Sequence, residues 1–119
     1  SILIKDNHIK IIGSISKCLD LIKEKNVEIE VENEHQALEA SKFSSKFKNL
    51  AILLDNMKPG QVTSIVDSVK KVDDAILFEA SGNITPDKIQ NFGNCGVDVI
   101  SMGSLTSSAR SLNISLEIK

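Results

Sequence analysis

Five short apolar runs punctuate the chain, at Ile2 to Lys5, Val27 to Val31, Ala51 to Leu54, Ala75 to Glu79 and Val97 to Ser101. Their length and β-branched content predict strands. The segments between them have helical spacing. Ile15, Cys18, Leu19 and Ile22 recur at three and four residues, with Ser14 placed as an N-cap. Ala37, Leu38, Ala40 and Phe43 form a weaker stripe, and Val62, Ile65, Val66 and Val69 a third, opened by Pro59. Thr85-Pro86-Asp87 opens a fourth, with Ile89 and Phe92 as its apolar pair and Gly93 and Gly96 to end it. The stretch from Ser41 to Asn49 reads as a helix end and loop.

Strands alternating with helices of this length predict an α/β fold of parallel βαβ units. Apolar runs predict a sheet covered on both faces. The pattern leaves two architectures open, a (β/α) barrel and an open doubly wound sheet. Five strands do not close an eight-stranded barrel. They suffice for most of an open sheet, or for the later portion of a barrel.

Composition narrows the function classes. The chain has 119 residues, enough for one domain, with 41% hydrophobic and 25% charged residues. A net charge of −2 argues against a broad grip on nucleic acid, and the lack of Trp and Tyr removes a base-stacking platform. No apolar run approaches the roughly 18 residues of a membrane helix. Cys18 and Cys95 are too few for a disulfide framework and are not spaced as a metal knuckle, which points to a reducing cytoplasm. The chain starts at Ser1 and enters a strand within a residue or two, so we expect a piece of a longer protein.

Chemistry gathers where the apolar runs stop. The first ends in Lys5-Asp6-Asn7-His8, the second carries Glu28, Glu30 and Glu32, and the third ends in Asp55-Asn56. The fourth runs into Ser81-Gly82-Asn83 and the fifth into Met102-Gly103-Ser104. Parallel α/β folds bind ligands at the carboxyl ends of their strands. Each glycine-bearing turn is ordinary by itself. On two consecutive late strands they suit a phosphate held by backbone N–H groups. Glu30 and Asp55 suit ribose hydroxyls or Mg²⁺, and Lys5 offers a point charge to a carboxylate or pyrophosphate. His8 is a possible further contact. His35 lies in a polar helix start where no role is expected.

LIKDNHI (Leu3 to Ile9), EIEVEN (Glu28 to Asn33), ILLDN (Ile52 to Asn56), FEASGNIT (Phe78 to Thr85) and GVDVISMGSLT (Gly96 to Thr106) occur in that order. Together they resemble the C-terminal part of the quinolinate phosphoribosyltransferases, also called nicotinate-nucleotide pyrophosphorylases (carboxylating). LNISLEI (Leu112 to Ile118) fits the same family.

The resemblance implies that residues 1–119 are the later part of an incomplete, open TIM-like α/β barrel. The N-terminal sandwich domain and the first barrel elements would lie outside this chain. It implies a pentosyltransferase of de novo NAD biosynthesis. Such an enzyme joins quinolinate to 5-phosphoribosyl 1-pyrophosphate with Mg²⁺ and releases nicotinate mononucleotide, pyrophosphate and CO₂.

Carried over by residue, Lys5 would meet quinolinate, and Glu30 and Asp55 would hold the ribose hydroxyls and, indirectly, the metal. Ser81, Gly82 and Asn83, with Met102, Gly103 and Ser104, would bind the 5′-phosphate. The family also implies at least a homodimer.

Three departures bear on the carry-over. The family often reads Ser-Gly-Gly where this chain has Ser81-Gly82-Asn83. Ser107 follows Leu105-Thr106 where the family often has His. Arg110 is the single arginine, so the family's arginine-rich acceptor pocket is not in these residues. The fragment alone is therefore expected to be inactive. Two alternatives are a related phosphoribosyltransferase-like protein of the molybdenum-transport-associated type with another acceptor, and a non-catalytic domain that binds a phosphate ligand.

Overall fold

The computed structural model describes residues 2–5, 14–82, 84–102 and 114–117. In chain order its elements are β1 (Ile2–Ile4), α1 (Ile15–Leu21), β2 (Asn26–Val31), α2 (Glu34–Ser41), β3 (Asn49–Asp55), α3 (Pro59–Lys70), β4 (Leu77–Ser81), α4 (Ile89–Phe92), β5 (Val99–Met102) and β6 (Ile114–Glu117). Single 3₁₀ turns at Ser44–Lys46 and Pro86–Lys88 precede β3 and α4.

Local chemistry starts each helix. The Ser14 hydroxyl accepts from the Lys17 N–H at 3.1 Å, as its position predicts, and Asn33 does the same for Gln36 at 2.9 Å. Pro59 occupies the first turn of α3, where its missing N–H costs nothing. The helices are then tied laterally. The Glu39 carboxylate on α2 accepts from the Ser16 hydroxyl of α1 at 2.7 Å, and Glu34 accepts from Ser64 of α3 at 2.9 Å. Lys46 donates to the carbonyls of Leu19 and Asp20, closing the end of α1.

The strands form one sheet in the order β1-β2-β3-β4-β5-β6. The first four pairings are parallel and β5 pairs with β6 antiparallel. An order that never reverses has no switch point. It therefore rules out the doubly wound alternative and leaves a singly wound barrel wall, open among the described residues.

The same order corrects the expectation of a sheet covered on both faces. Right-handed crossovers that always advance in one direction lay every helix on the same side. Val27, Ile29, Val31, Leu50, Ile52, Leu54, Phe78, Ala80 and Ile100 are buried on that side, in one core with Leu19, Ala37, Val62, Ile65 and Val69. Successive side chains alternate, so Glu28, Glu30, Leu53, Glu79 and Ser81 face the other way and are only half-buried.

Several boundaries move. β4 begins at Leu77 rather than Ala75, because Asp73 accepts from the Ala75 N–H at 2.9 Å and holds 73–75 in a turn. Ser81 thereby becomes the last residue of a strand. The predicted fourth helix is one 3₁₀ turn and one α turn. Gly93 stays right-handed at φ −62°, and the reversal comes at Gly96, φ +85°. β6 was not anticipated as a strand.

Candidate functional site

The uncovered face of the sheet carries a cavity of about 430 Å³. Backbone register arranges its walls in rungs. Leu3, Glu28, Ala51 and Leu77 are opposite one another, as are Glu30, Leu53, Glu79 and Val99 one step further along, and then Asp55 and Ser81. The first rung is mostly apolar and the polar groups concentrate toward the carboxyl ends. Lys5, Glu30, Asp55, Ser81 and Gly82, five residues singled out from the sequence, all line this one cavity. Met102 ends β5 opposite Ile114. His8, Asn83, Gly103 and Ser104 lie outside the described residues.

Two of the turns are locked together. Asp55 pairs with Ser81 across the β3–β4 ladder, and the Ser81 hydroxyl donates to the Asp55 carboxylate at 2.9 Å. The Asn56 N–H donates to the Ser81 carbonyl at 3.0 Å. Asn56 is left-handed at φ 59°, a conformation that asparagine tolerates better than most residues. Gly82 at φ +110° lies against it, and a Cβ there would sit 2.8 Å from the Asn56 nitrogen. Only glycine combines that backbone angle with that approach.

The floor of the cavity holds a pair that was not singled out from the sequence. The Glu28 carboxyl is raised to about 7. Burial is the main cause, followed by its hydrogen bond to Glu79 and the repulsion of that carboxylate. A proton between the two is what lets them lie together. The Ser101 hydroxyl also donates to the Glu79 carboxylate, so the chain of contacts spans β2, β4 and β5. The alternation of Glu28 with Glu30 puts both on one face and was legible. That Glu79 meets Glu28 across the intervening Ala51–Leu53 strand depends on register, which no local pattern states.

The arrangement can do two things. Four carboxylates, Glu28, Glu30, Asp55 and Glu79, face one ammonium, Lys5, in a partly enclosed space. Such a site favours a ligand with hydroxyls and a developing positive charge. Mg²⁺ takes oxygen donors, commonly one or two carboxylates plus substrate phosphates. Glu30 and Asp55 fit that donor chemistry. Among the described residues no three acidic, His or Cys side chains are placed to hold a metal by themselves. No described helix is long and apolar enough to cross a membrane.

Comparison with known proteins agrees with the fold. The family model "Quinolinate phosphoribosyl transferase, C-terminal domain" matches residues 1–117. A protein of Methanothermobacter thermautotrophicus named probable nicotinate-nucleotide pyrophosphorylase [carboxylating] is 37% identical over 98% of this chain and 43% of its own length. The Arabidopsis thaliana protein named nicotinate-nucleotide pyrophosphorylase [carboxylating], chloroplastic, is 37% identical over 98% of this chain and 38% of its own length. A solved nicotinate-nucleotide pyrophosphorylase from Ehrlichia chaffeensis superposes with a TM-score of 0.69 at 33% identity, covering 86% of this chain and 36% of that one. The chain thus spans less than half the length of these relatives.

Proposed function

Because the chain belongs to the quinolinate phosphoribosyl transferase family, matching its C-terminal domain, we propose that the full-length protein transfers phosphoribosyl from 5-phosphoribosyl 1-pyrophosphate to quinolinate. Nicotinate mononucleotide, pyrophosphate and CO₂ are the products. The single observation that most supports this reading is the cavity on the open face. It gathers Lys5, Glu30, Asp55, Ser81 and Gly82 from four different strand ends.

In this reading the chain supplies the donor half of the site. Glu30 and Asp55 accept from the ribose hydroxyls, and their fixed charge favours the cationic ring that forms as pyrophosphate departs. Asp55 is held for that task by the Ser81 hydroxyl. The Ser81-Gly82-Asn83 and Met102-Gly103-Ser104 turns receive the 5′-phosphate on backbone N–H groups. Lys5 meets a quinolinate carboxylate. Glu30 and Asp55 are the residues that would hold Mg²⁺, which would supply charge neutralisation for the leaving pyrophosphate. When the acceptor loses CO₂, the electron pair left on the ring carbon is stabilised by the ring nitrogen that now carries the ribose, and that carbon then takes up a proton from solvent to give the product. Guanidinium groups for a dicarboxylate must come from elsewhere in the protein, so the isolated chain is expected to show no turnover. A homodimer that completes the site and a cytoplasmic home belong to the same proposal. Cys18 and Cys95, both buried and neither in a disulfide, support a reducing compartment.

The test is CO₂ release from carboxyl-labelled quinolinate by the full-length protein and its Lys5→Ala form. Release that requires the phosphoribosyl donor and Mg²⁺, and that collapses in the variant, is the expected result. Donor binding without release would keep the phosphoribosyl half and assign another acceptor.

A further inference from the structure

A second cavity, of about 320 Å³, lies on the other flank of Ser81. Its polar wall is Asn56, Lys58, Lys88 and Asn91, over an apolar floor that includes Ile84 and Phe92. Its charge is opposite to that of the first. Four carboxylates and one ammonium line the cavity on the sheet face, whereas two ammoniums and no carboxylate line this one among the described residues. Ser81 lines both cavities, so the Asp55–Ser81 pair, with Asn56 beside it, stands between a negative and a positive compartment.

The positive compartment is built on fixed walls. Asn56 is anchored by its N–H to the Ser81 carbonyl. The Cys95 thiol donates to the Pro59 carbonyl at 3.3 Å, which ties the end of α4 to the start of α3. Thr85 engages the Asp87 carboxylate, the acidic group next to Lys88 in sequence. The Thr85 hydrogen bond is the main reason the Asp87 carboxyl lies below the usual range, with Lys88 the smallest contributor. Ammonium groups on flexible stems suit a compact, multiply charged oxyanion, and carboxamides supply neutral donors beside them.

We propose that this cavity is an anion subsite that takes the phosphoryl group of a mono- or diphosphate between Lys58 and Lys88. It lies on the flank of Ser81 away from the sheet-face cavity and does not depend on the acceptor being quinolinate. The phosphoryl group has two possible sources, a phosphate of the donor already held in the first cavity or free inorganic phosphate or pyrophosphate.

Equilibrium dialysis of labelled pyrophosphate against the full-length protein at constant ionic strength tests it without turnover. The comparison is wild type, Lys58→Gln/Lys88→Gln, and Lys70→Gln/Lys71→Gln. The last pair removes the same charge from the far end of α3. A loss of at least tenfold in affinity for one class of bound pyrophosphate in the first variant, with the control within twofold of wild type, is the expected result. Equal affinity in all three, or an equal loss in both variants, would overturn the subsite. Steady-state kinetics then separate the sources. A rise in donor KM at constant kcat in Lys58→Gln/Lys88→Gln assigns the subsite to the donor, and an unmoved KM assigns it to a separate anion. Because dialysis needs no quinolinate, failure of the proposed reaction and failure of the subsite are read independently.

Discussion

The two faces of this sheet are made by the same strands and behave as different materials. In β2, Val27, Ile29 and Val31 point at the helices and are at most 3% exposed, while Glu28 and Glu30, interleaved with them, point into the open cavity. In β3, Leu50, Ile52 and Leu54 do the first task and Leu53 and Asp55 the second. The difference teaches that alternation lets one backbone carry two nearly independent properties. Packing against helices fixes where the strands lie. The opposite face inherits that positioning and is left free for charges that no core would accept.

The sharpest way to break the comparison is from the helix side. Ile52 is fully buried, and Ile52→Ala should cost about 3–4 kcal/mol in urea denaturation, with affinity for the donor unchanged in the molecules that remain folded. A residue at the boundary between faces should fail both tests. Gly82→Ala forces a Cβ to within 2.8 Å of the Asn56 nitrogen at φ +110°, so we expect a loss of about 2–3 kcal/mol. Donor affinity should fall with it, because the Ser81-Gly82 turn cannot keep its place. From the open side the pattern inverts. Asp55→Asn keeps the size and an acceptor for Ser81 but removes the charge. We expect kcat to fall about 100-fold, from the lost charge stabilisation. Stability should stay within about 0.5 kcal/mol, as is usual for an exposed residue. A stability loss in Asp55→Asn as large as in Ile52→Ala would mean that the faces are not independent.

How much of this could be read from the chain differs between the faces as well. The helix-side residues announce themselves by periodicity, and the first two strands were legible to within a residue at each end, whereas β3 starts two residues before its apolar run and ends one after it. The individual site residues were legible because Lys5, Asp55, Ser81 and Gly82 follow apolar runs and Glu30 alternates with the apolar residues of one. Their convergence on one cavity follows from strand order, and order is a property of crossovers that composition does not encode. β4 shifted by two residues because Asp73 captures the Ala75 N–H, a local contact that competes with an apolar run that otherwise reads as strand. The Glu28–Glu79 pair was invisible for a related reason. Its members lie fifty-one residues apart in sequence, on strands separated by β3, and only the register brings their side chains together.

That pair gives the smallest effect and the most specific one. A carboxyl whose folded value is near 7 against an ordinary 4.5 holds its proton in the folded state while the unfolded chain has given it up. The folded state therefore binds more protons between those two values, and stability falls as pH rises through that window and is level above it. Glu28 is only half-buried, so solvent screening reduces the full value of the shift, and we expect about 1 kcal/mol. Glu28→Gln keeps the shape and a donor for Glu79 but carries no titratable proton. Urea denaturation from pH 4.5 to 8 should then show the downward slope of the wild type flattened, with the variant more stable by about 1 kcal/mol at pH 8 and matched near pH 4.5. Ile52→Ala, on the other face, should lower the curve by the same amount at every pH. Parallel curves for Glu28→Gln and wild type would remove the shared proton from the site. A flattened slope would locate, on the open face alone, a charge conflict that the helix-covered face never has to hold.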